Sequence, residues 1–141
     1  MSACFNVENY IDSFLRSLEN QSLDFKLNFQ IILVDDGSTD KTAEIIKSWV
    51  KKYPENIVYL YQENQGQASA RNRGLDYVSH SWVSFLDPDD FIDCNAFRRI
   101  DKYLQLHQGQ LDILSMNIVY FYEDGIGLIN NHPLLTRLQN S

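Results

Sequence analysis

Five aspartates carry the chemical interest of this sequence. Asp87, Asp89 and Asp90 follow the apolar run Trp82 to Leu86, and Asp35 and Asp36 follow the run Phe29 to Val34. Carboxylates gathered this way suit a hard divalent cation, magnesium or manganese, which keeps several waters and shares a phosphate-bearing ligand. Pro88 fixes its own φ and pushes Asp87 toward an extended conformation, so the turn is stiff and can aim Asp87 and Asp89 at one place. Each group has a plainer alternative. Asp-Pro-Asp-Asp also suits a surface turn, and Asp35-Asp36 followed by Gly37-Ser38-Thr39-Asp40 also suits a turn that caps a helix. A cationic counterpart lies in Gly66-Gln67-Ala68-Ser69-Ala70-Arg71-Asn72-Arg73. There the small residues open a helix whose free N–H groups favour an anion, with Arg71 and Arg73 one turn in.

The elements that must position these residues alternate. Tyr10, Ile11, Phe14, Leu15 and Leu18 recur at helical spacing and mark a helix from about Glu8 to Asn20, with a loop over Gln21 to Asn28. A buried strand over Phe29 to Val34 precedes a helix reaching Tyr53 that turns Ile46, Trp49, Val50 and Tyr53 inward. A strand over Ile57 to Tyr61 and a helix from Ala68 to about Val78 follow. Trp82 to Leu86 reads as another buried strand, and Phe97, Ile100, Tyr103 and Leu104 share one face of a helix from Asn95 to His107. Ile113 to Tyr122 is rich in strand formers, and Glu123-Asp124-Gly125 has hairpin-turn composition. This order predicts an α/β domain, with a Rossmann-like, mostly parallel sheet and helices on both faces. Parallel strands all end on one side, so the two acidic strand ends can meet in one crevice.

Composition narrows the partners. The 141 residues suffice for one domain, and 44% hydrophobic with 22% charged residues is globular. A net charge of −7 argues against nucleic acid or an anionic membrane bound through a general basic surface. Cys4 and Cys94 have no metal-ligand spacing, which makes a reduced, cytoplasmic setting the default. No apolar run is long enough to cross a bilayer. A P-loop is excluded because no Gly-x-x-x-x-Gly-Lys-Ser/Thr occurs. A phospho-acceptor receiver domain would need a lysine at a later strand end, and none follows Tyr122.

Four segments in register, Asn6-Val7-Glu8-Asn9-Tyr10-Ile11, Val34-Asp35-Asp36-Gly37-Ser38-Thr39-Asp40, Asn64-Gln65-Gly66 with Ala70-Arg71-Asn72-Arg73-Gly74, and Phe85-Leu86-Asp87-Pro88-Asp89-Asp90, resemble the family 2 glycosyltransferases. The resemblance implies the GT-A nucleotide-sugar fold and inverting transfer of a sugar from a nucleoside diphosphate, UDP being the expected nucleotide. It further implies that Asp36, with Asp35 beside it, bonds the base or ribose and that Arg71 meets the base or diphosphate. Asp87 would lie near the ribose and metal, and Asp89 would be the direct ligand of Mg2+ or Mn2+. The implied acceptor is a saccharide or polyol phosphate of a bacterial surface polymer, at the cytoplasmic face of the membrane. Against the family pattern, the first strand is short by about five residues and Ala3 replaces proline. The catalytic base is expected beyond Ser141, with Glu123-Asp124 a turn. The expectation is therefore one donor-binding domain over residues 1–141, incomplete at both ends. The rival reading is a catalytically incomplete nucleotide-binding module that self-associates, as a homodimer, through an unprotected sheet edge.

Overall fold

The computed structural model describes residues 1–107 and 109–114 in full, and 119–121 and 127–129 as backbone. Met1–Tyr103 and Leu104–Ser141 form two compact units. In the first, β1 (Ser2–Cys4), β2 (Ile31–Asp36) and β3 (Ile57–Gln62) make a parallel sheet in the order β1-β2-β3. Ala3 lies opposite Val34, and Val34 opposite Leu60. In the second unit β4 (Val119–Phe121) pairs antiparallel with β5 (Gly127–Ile129), Val119 opposite Ile129. The turn expected at Glu123-Asp124-Gly125 lies outside the described residues.

The central strand β2 is buried at every position, so its side chains alternate between two cores rather than between core and water. Ile31 and Leu33 point to a core that also holds Ile11, Phe14, Leu15 and Leu18 of α1 (Ile11–Glu19) and Ile46 and Trp49 of α3 (Thr42–Lys52). Ile32 and Val34 point the other way, to Met1 and to Ala70 of α4 (Gln67–Leu75). Gly74 lets α4 lie close: a Cβ there would stand 2.1 Å from the Met1 sulfur and 3.2 Å from Val34 Cγ2. Helices on both faces, α1 and α3 among those on one and α4 on the other, realise the layered α/β arrangement that the element order predicts.

Three expectations need correction. Gln21 to Asn28 is not all loop, because Asp24 accepts hydrogen bonds from the Lys26 and Leu27 amides and starts a single-turn helix, α2 (Phe25–Asn28). The second strand is shifted and includes both of its carboxylates, since the ladder to β3 continues through Asp35 and Asp36. Trp82 to Leu86 is not a buried strand. Its links to the sheet are two bonds to Met1, Met1 N to Ser84 O at 2.7 Å and Leu86 N to Met1 O at 3.1 Å, and Trp82, Val83 and Phe85 are exposed. Aromatic and β-branched composition reports a preference for strand geometry, and the neighbours decide whether a ladder forms.

Past the acidic turn the chain is tied back to the first core. The buried Gln21 donates through Nε2 to Asp93 O at 2.8 Å and accepts from the Phe97 amide at 3.3 Å, while Ser22 N reaches Cys94 O at 2.7 Å. Ile92 and Phe97 pack on that core, and α5 (Ala96–Leu106) follows with no fully buried residue.

Phe14 is 1% exposed and Leu27 is 81% exposed. Phe14→Ala is expected to cost about 3–5 kcal/mol in urea unfolding, against less than about 0.5 kcal/mol for Leu27→Ala. Equal midpoints would refute this placement of the core.

Candidate nucleotide site

The carboxyl ends of β1 and β2 and the turn at Asp87 open onto one cleft of about 270 Å³, lined by Ala3, Cys4, Phe5, Val7, Asp36, Gln67, Asp87, Pro88 and Asp89. Asp36 and Asp89, far apart in the chain, therefore share a hollow. The loops that leave the parallel strands β1 and β2 emerge on the same side, and the turn at Asp87 is brought there by the bonds of Ser84 and Leu86 to Met1, the residue before β1.

The two aspartates of β2 have opposite fates. Successive strand residues face opposite ways, so Asp35 points into the first core, where it is fully buried. Its Oδ1 accepts from Ser38 N at 2.8 Å and its Oδ2 from the Tyr59 hydroxyl at 2.9 Å. Burial, and then the bond to Asp35, push the Tyr59 hydroxyl pKa upward. The expectation that Asp35 stands beside Asp36 at a ligand thus meets a different geometry: both its oxygens are bonded within the protein, and it is not among the cleft-lining residues.

Asp36 borders the cleft, but its carboxylate also fastens the loop between β3 and α4. Oδ1 accepts from Gln62 Nε2 at 2.7 Å and from Gln65 N at 2.9 Å, and Oδ2 accepts from Gly66 N at 2.8 Å. Desolvation works to raise its pKa, and these three bonds outweigh it and hold the carboxyl below its ordinary value. Two glycines make the clasp possible. Gly37 has φ +80° and a Cβ on it would stand 2.9 Å from Asn64 N, and Gly66 has φ +87°.

The remaining loops brace one another. Asn6, at φ 51°, donates through its amide to Ser38 Oγ and accepts Thr39 N on Oδ1; Val7 N reaches Thr42 Oγ1. Glu8 and Asp40 exchange caps: Glu8 N donates to Asp40 Oδ2 at 3.0 Å and Lys41 N to Glu8 Oε2 at 2.9 Å. Asp40 also accepts Thr42 N at 2.9 Å, so of the three capping candidates Ser38, Thr39 and Asp40, it is Asp40 that serves α3.

On the opposite wall Arg71 pairs with Asp87, Nη2 to Oδ1 at 2.7 Å, and its guanidinium lies 5.8 Å from the centre of the Phe85 ring. Arg73 instead donates to Tyr61 O at 2.7 Å. Asp89 is exposed and makes no hydrogen bond among the described residues. Partial burial raises the pKa of Asp90, and repulsion from Asp89 and Asp87 adds to the rise. Among the described residues no three His, Cys, Asp or Glu side chains gather into a set able to hold an ion. Asp87 and Asp89 both line the cleft; two carboxylates would suit a cation that completes its shell with water and phosphate rather than an all-protein cage. Burial, with Asp35 close by, pushes the Cys4 thiol up to about 12 and so disfavours its thiolate. Gln62 and Gln67 were not foreseen, since neutral amides leave no charge or spacing signal.

A parallel α/β sheet with an acidic cleft at its strand ends has the layout of a nucleotide-binding protein, and in detail the fold is GT-A. S. aureus TarS 1–349 in complex with UDP matches with TM-score 0.68 and 28% identity, over 76% of this chain and 31% of that one. The same protein in complex with UDP-GlcNAc gives 0.69 and 30%, over 75% and 30%. The model of Glycosyl transferase family 2 matches residues 2–132, and the chain belongs to that family. It is 40% identical over 136 residues to the Minor teichoic acid biosynthesis protein GgaB of Bacillus subtilis (strain 168), covering 95% of this chain and 15% of that protein. For GgaA of the same organism the identity is 36% over 139 residues, covering 96% and 31%. The chain thus spans less than a third of the length of each of these proteins. No helix among the described residues is long and apolar enough to cross a membrane.

Asp36→Asn leaves an amide N–H₂ facing donors and should destabilise the protein by on the order of 2 kcal/mol at pH 7. The folded pKa of Asp36 lies below the unfolded value near about 3.9, so its contribution is complete above that value and is lost as pH falls through the folded one. The stability gap between wild type and Asp36→Asn, read from urea titrations, is therefore expected to stay level from neutral pH to about 5 and to close below about 4. A gap independent of pH would show that the carboxylate's charge is not what holds the loop.

Proposed function

We propose that this chain is the donor-binding part of an inverting, metal-assisted sugar transferase that uses a nucleoside diphosphate sugar, with UDP as the nucleotide. The observation that carries the reading is the shared cleft of about 270 Å³, which Asp36, Asp87 and Asp89 all line. TarS solved with UDP and with UDP-GlcNAc supports the choice of nucleotide. The acceptor is a hydroxyl of a teichoic acid or related saccharide or polyol phosphate polymer, a reading supported by the names of GgaB and GgaA.

In this reading Asp89, which makes no hydrogen bond among the described residues, and Asp87, paired with Arg71, would hold Mg2+ or Mn2+. The ion, when bound, offsets the charge that develops on the departing diphosphate. Asp36 keeps the loop from Gln62 to Gly66 closed on the cleft and turns its remaining acceptor capacity toward the nucleoside. Arg71, already paired with Asp87, sets the charge on that side and lies within reach of an incoming anion.

Calorimetry with UDP in the presence of Mn2+ is expected to give saturable binding that weakens about tenfold or more for Asp89→Ala. Equal affinity of the two proteins would remove the metal from the reading. Arg71→Ala is expected to weaken binding while leaving it dependent on Mn2+, and unchanged affinity would mean that this guanidinium serves only the fold.

A further inference from the structure

Gln67 is the first residue of α4, lines the cleft, and donates through Nε2 to Asp87 Oδ1 at 3.2 Å. Arg71, one turn later on the same helix, donates to that same oxygen at 2.7 Å. Helical residues four apart lie on one face, so both donors come from a single rigid edge. The Gln67 amide has one favourable orientation here, since its carbonyl oxygen turned toward the carboxylate would repel it. No hydrogen bond among the described residues reaches Asp87 Oδ2.

From this geometry we infer that Gln67 is a positioning residue for the metal–diphosphate site. Together with Arg71 it occupies Oδ1 and leaves Oδ2 as the one oxygen that Asp87 offers to a ligand. The inference rests on the donor-site reading above and adds to it a division of labour between two donors. Arg71 holds the carboxylate by charge, and the second, neutral donor restricts its rotation without setting a further positive charge beside a cation. With Oδ1 doubly engaged, Asp87 acts through a single oxygen and cannot clamp an ion with both. Such outer contacts are known to tune ligand geometry at metal sites.

The test compares UDP affinity by calorimetry, in Mn2+ and in EDTA, for wild type, Gln67→Met, Gln67→Glu and Asp89→Ala. Met keeps the length of Gln and loses the donor; Glu keeps the shape and sets a carboxylate against Asp87. In Mn2+ the affinity is expected to fall about tenfold for Gln67→Met and further for Gln67→Glu, with a smaller loss for Gln67→Met in EDTA. Thermal unfolding midpoints of Gln67→Met and wild type are expected to agree, which separates positioning from folding. If wild type responds to Mn2+ and Asp89→Ala does not, yet Gln67→Met binds as wild type does, the role of Gln67 is refuted and the donor site stands. Equal losses for Gln67→Met in Mn2+ and in EDTA would also refute it. If wild type itself binds UDP no better in Mn2+ than in EDTA, the donor-site reading and this inference fall together.

Discussion

A strand covered on both faces that ends in two carboxylates must find partners for both charges within the protein, because burying an unpaired carboxylate costs far more than a domain's net stability can bear. β2 meets this demand twice, in opposite directions. Asp35 is satisfied by Ser38 and Tyr59 on the side of α1 and α3, and Asp36 by Gln62, Gln65 and Gly66 on the side of α4. Each solution fixes a loop. The first sets the turn that leads into α3, and the second sets the turn that delivers α4 and, with it, Gln67 and Arg71. The cleft is thus a by-product of satisfying two buried charges at the end of one strand.

The two walls of the cleft are built on different terms. The wall at β1, β2 and their loops is a lattice of capped amides in which Asn6, Glu8, Ser38, Asp40 and Thr42 bond one another across the gap between two helix starts. These side chains are engaged with one another's loops. The wall at Asp87 to Asp90 has acidic groups left over; partial burial raises the pKa of Asp90, and the neighbouring Asp89 and Asp87 add to the rise. Asp87 is only partly matched by Arg71, and Asp89 faces the open cleft without a hydrogen bond among the described residues. Surplus like charge on a stiff turn opposite a satisfied wall is the electrostatic pattern expected where a cation and its anionic companion bind.

Much of this was legible in the sequence, for identifiable reasons. Period and order disclosed α1, α3, β3 and the parallel sheet; the carboxylates after Val34 and those after Leu86 do share a crevice, although the second group was expected at the end of a strand that the sheet does not contain. What the sequence hid was direction. In a strand buried on both faces the alternation of side chains leaves no alternation of polarity, so nothing in Ile31 to Asp36 told which aspartate faced which way. Trp82 to Leu86 misled in the opposite sense: its residue types suit a buried strand, whereas its burial depends on neighbours that local composition does not name. The short α2 fell below the length at which periodicity speaks, although Asp24 was a readable cap. Gln62 and Gln67 were silent because an amide that orients a carboxylate is chosen by its neighbours in space alone.

The attachment of Gln21 at the far end of α1 deserves to be followed outward. Besides the bonds of Arg71 and Gln67 to Asp87, the segment that carries the acidic turn is slung between two moorings, the backbone of Met1 at Ser84 and Leu86 and the side chain of Gln21 at Asp93 and Phe97. Neither mooring touches the cleft, and both are made of a few hydrogen bonds to main-chain atoms. The span between them behaves like a short bridge whose sag is set at its abutments. The reach of Asp89 into the hollow is therefore governed partly from the tail of the first helix, a place that no inventory of cleft-lining residues would include.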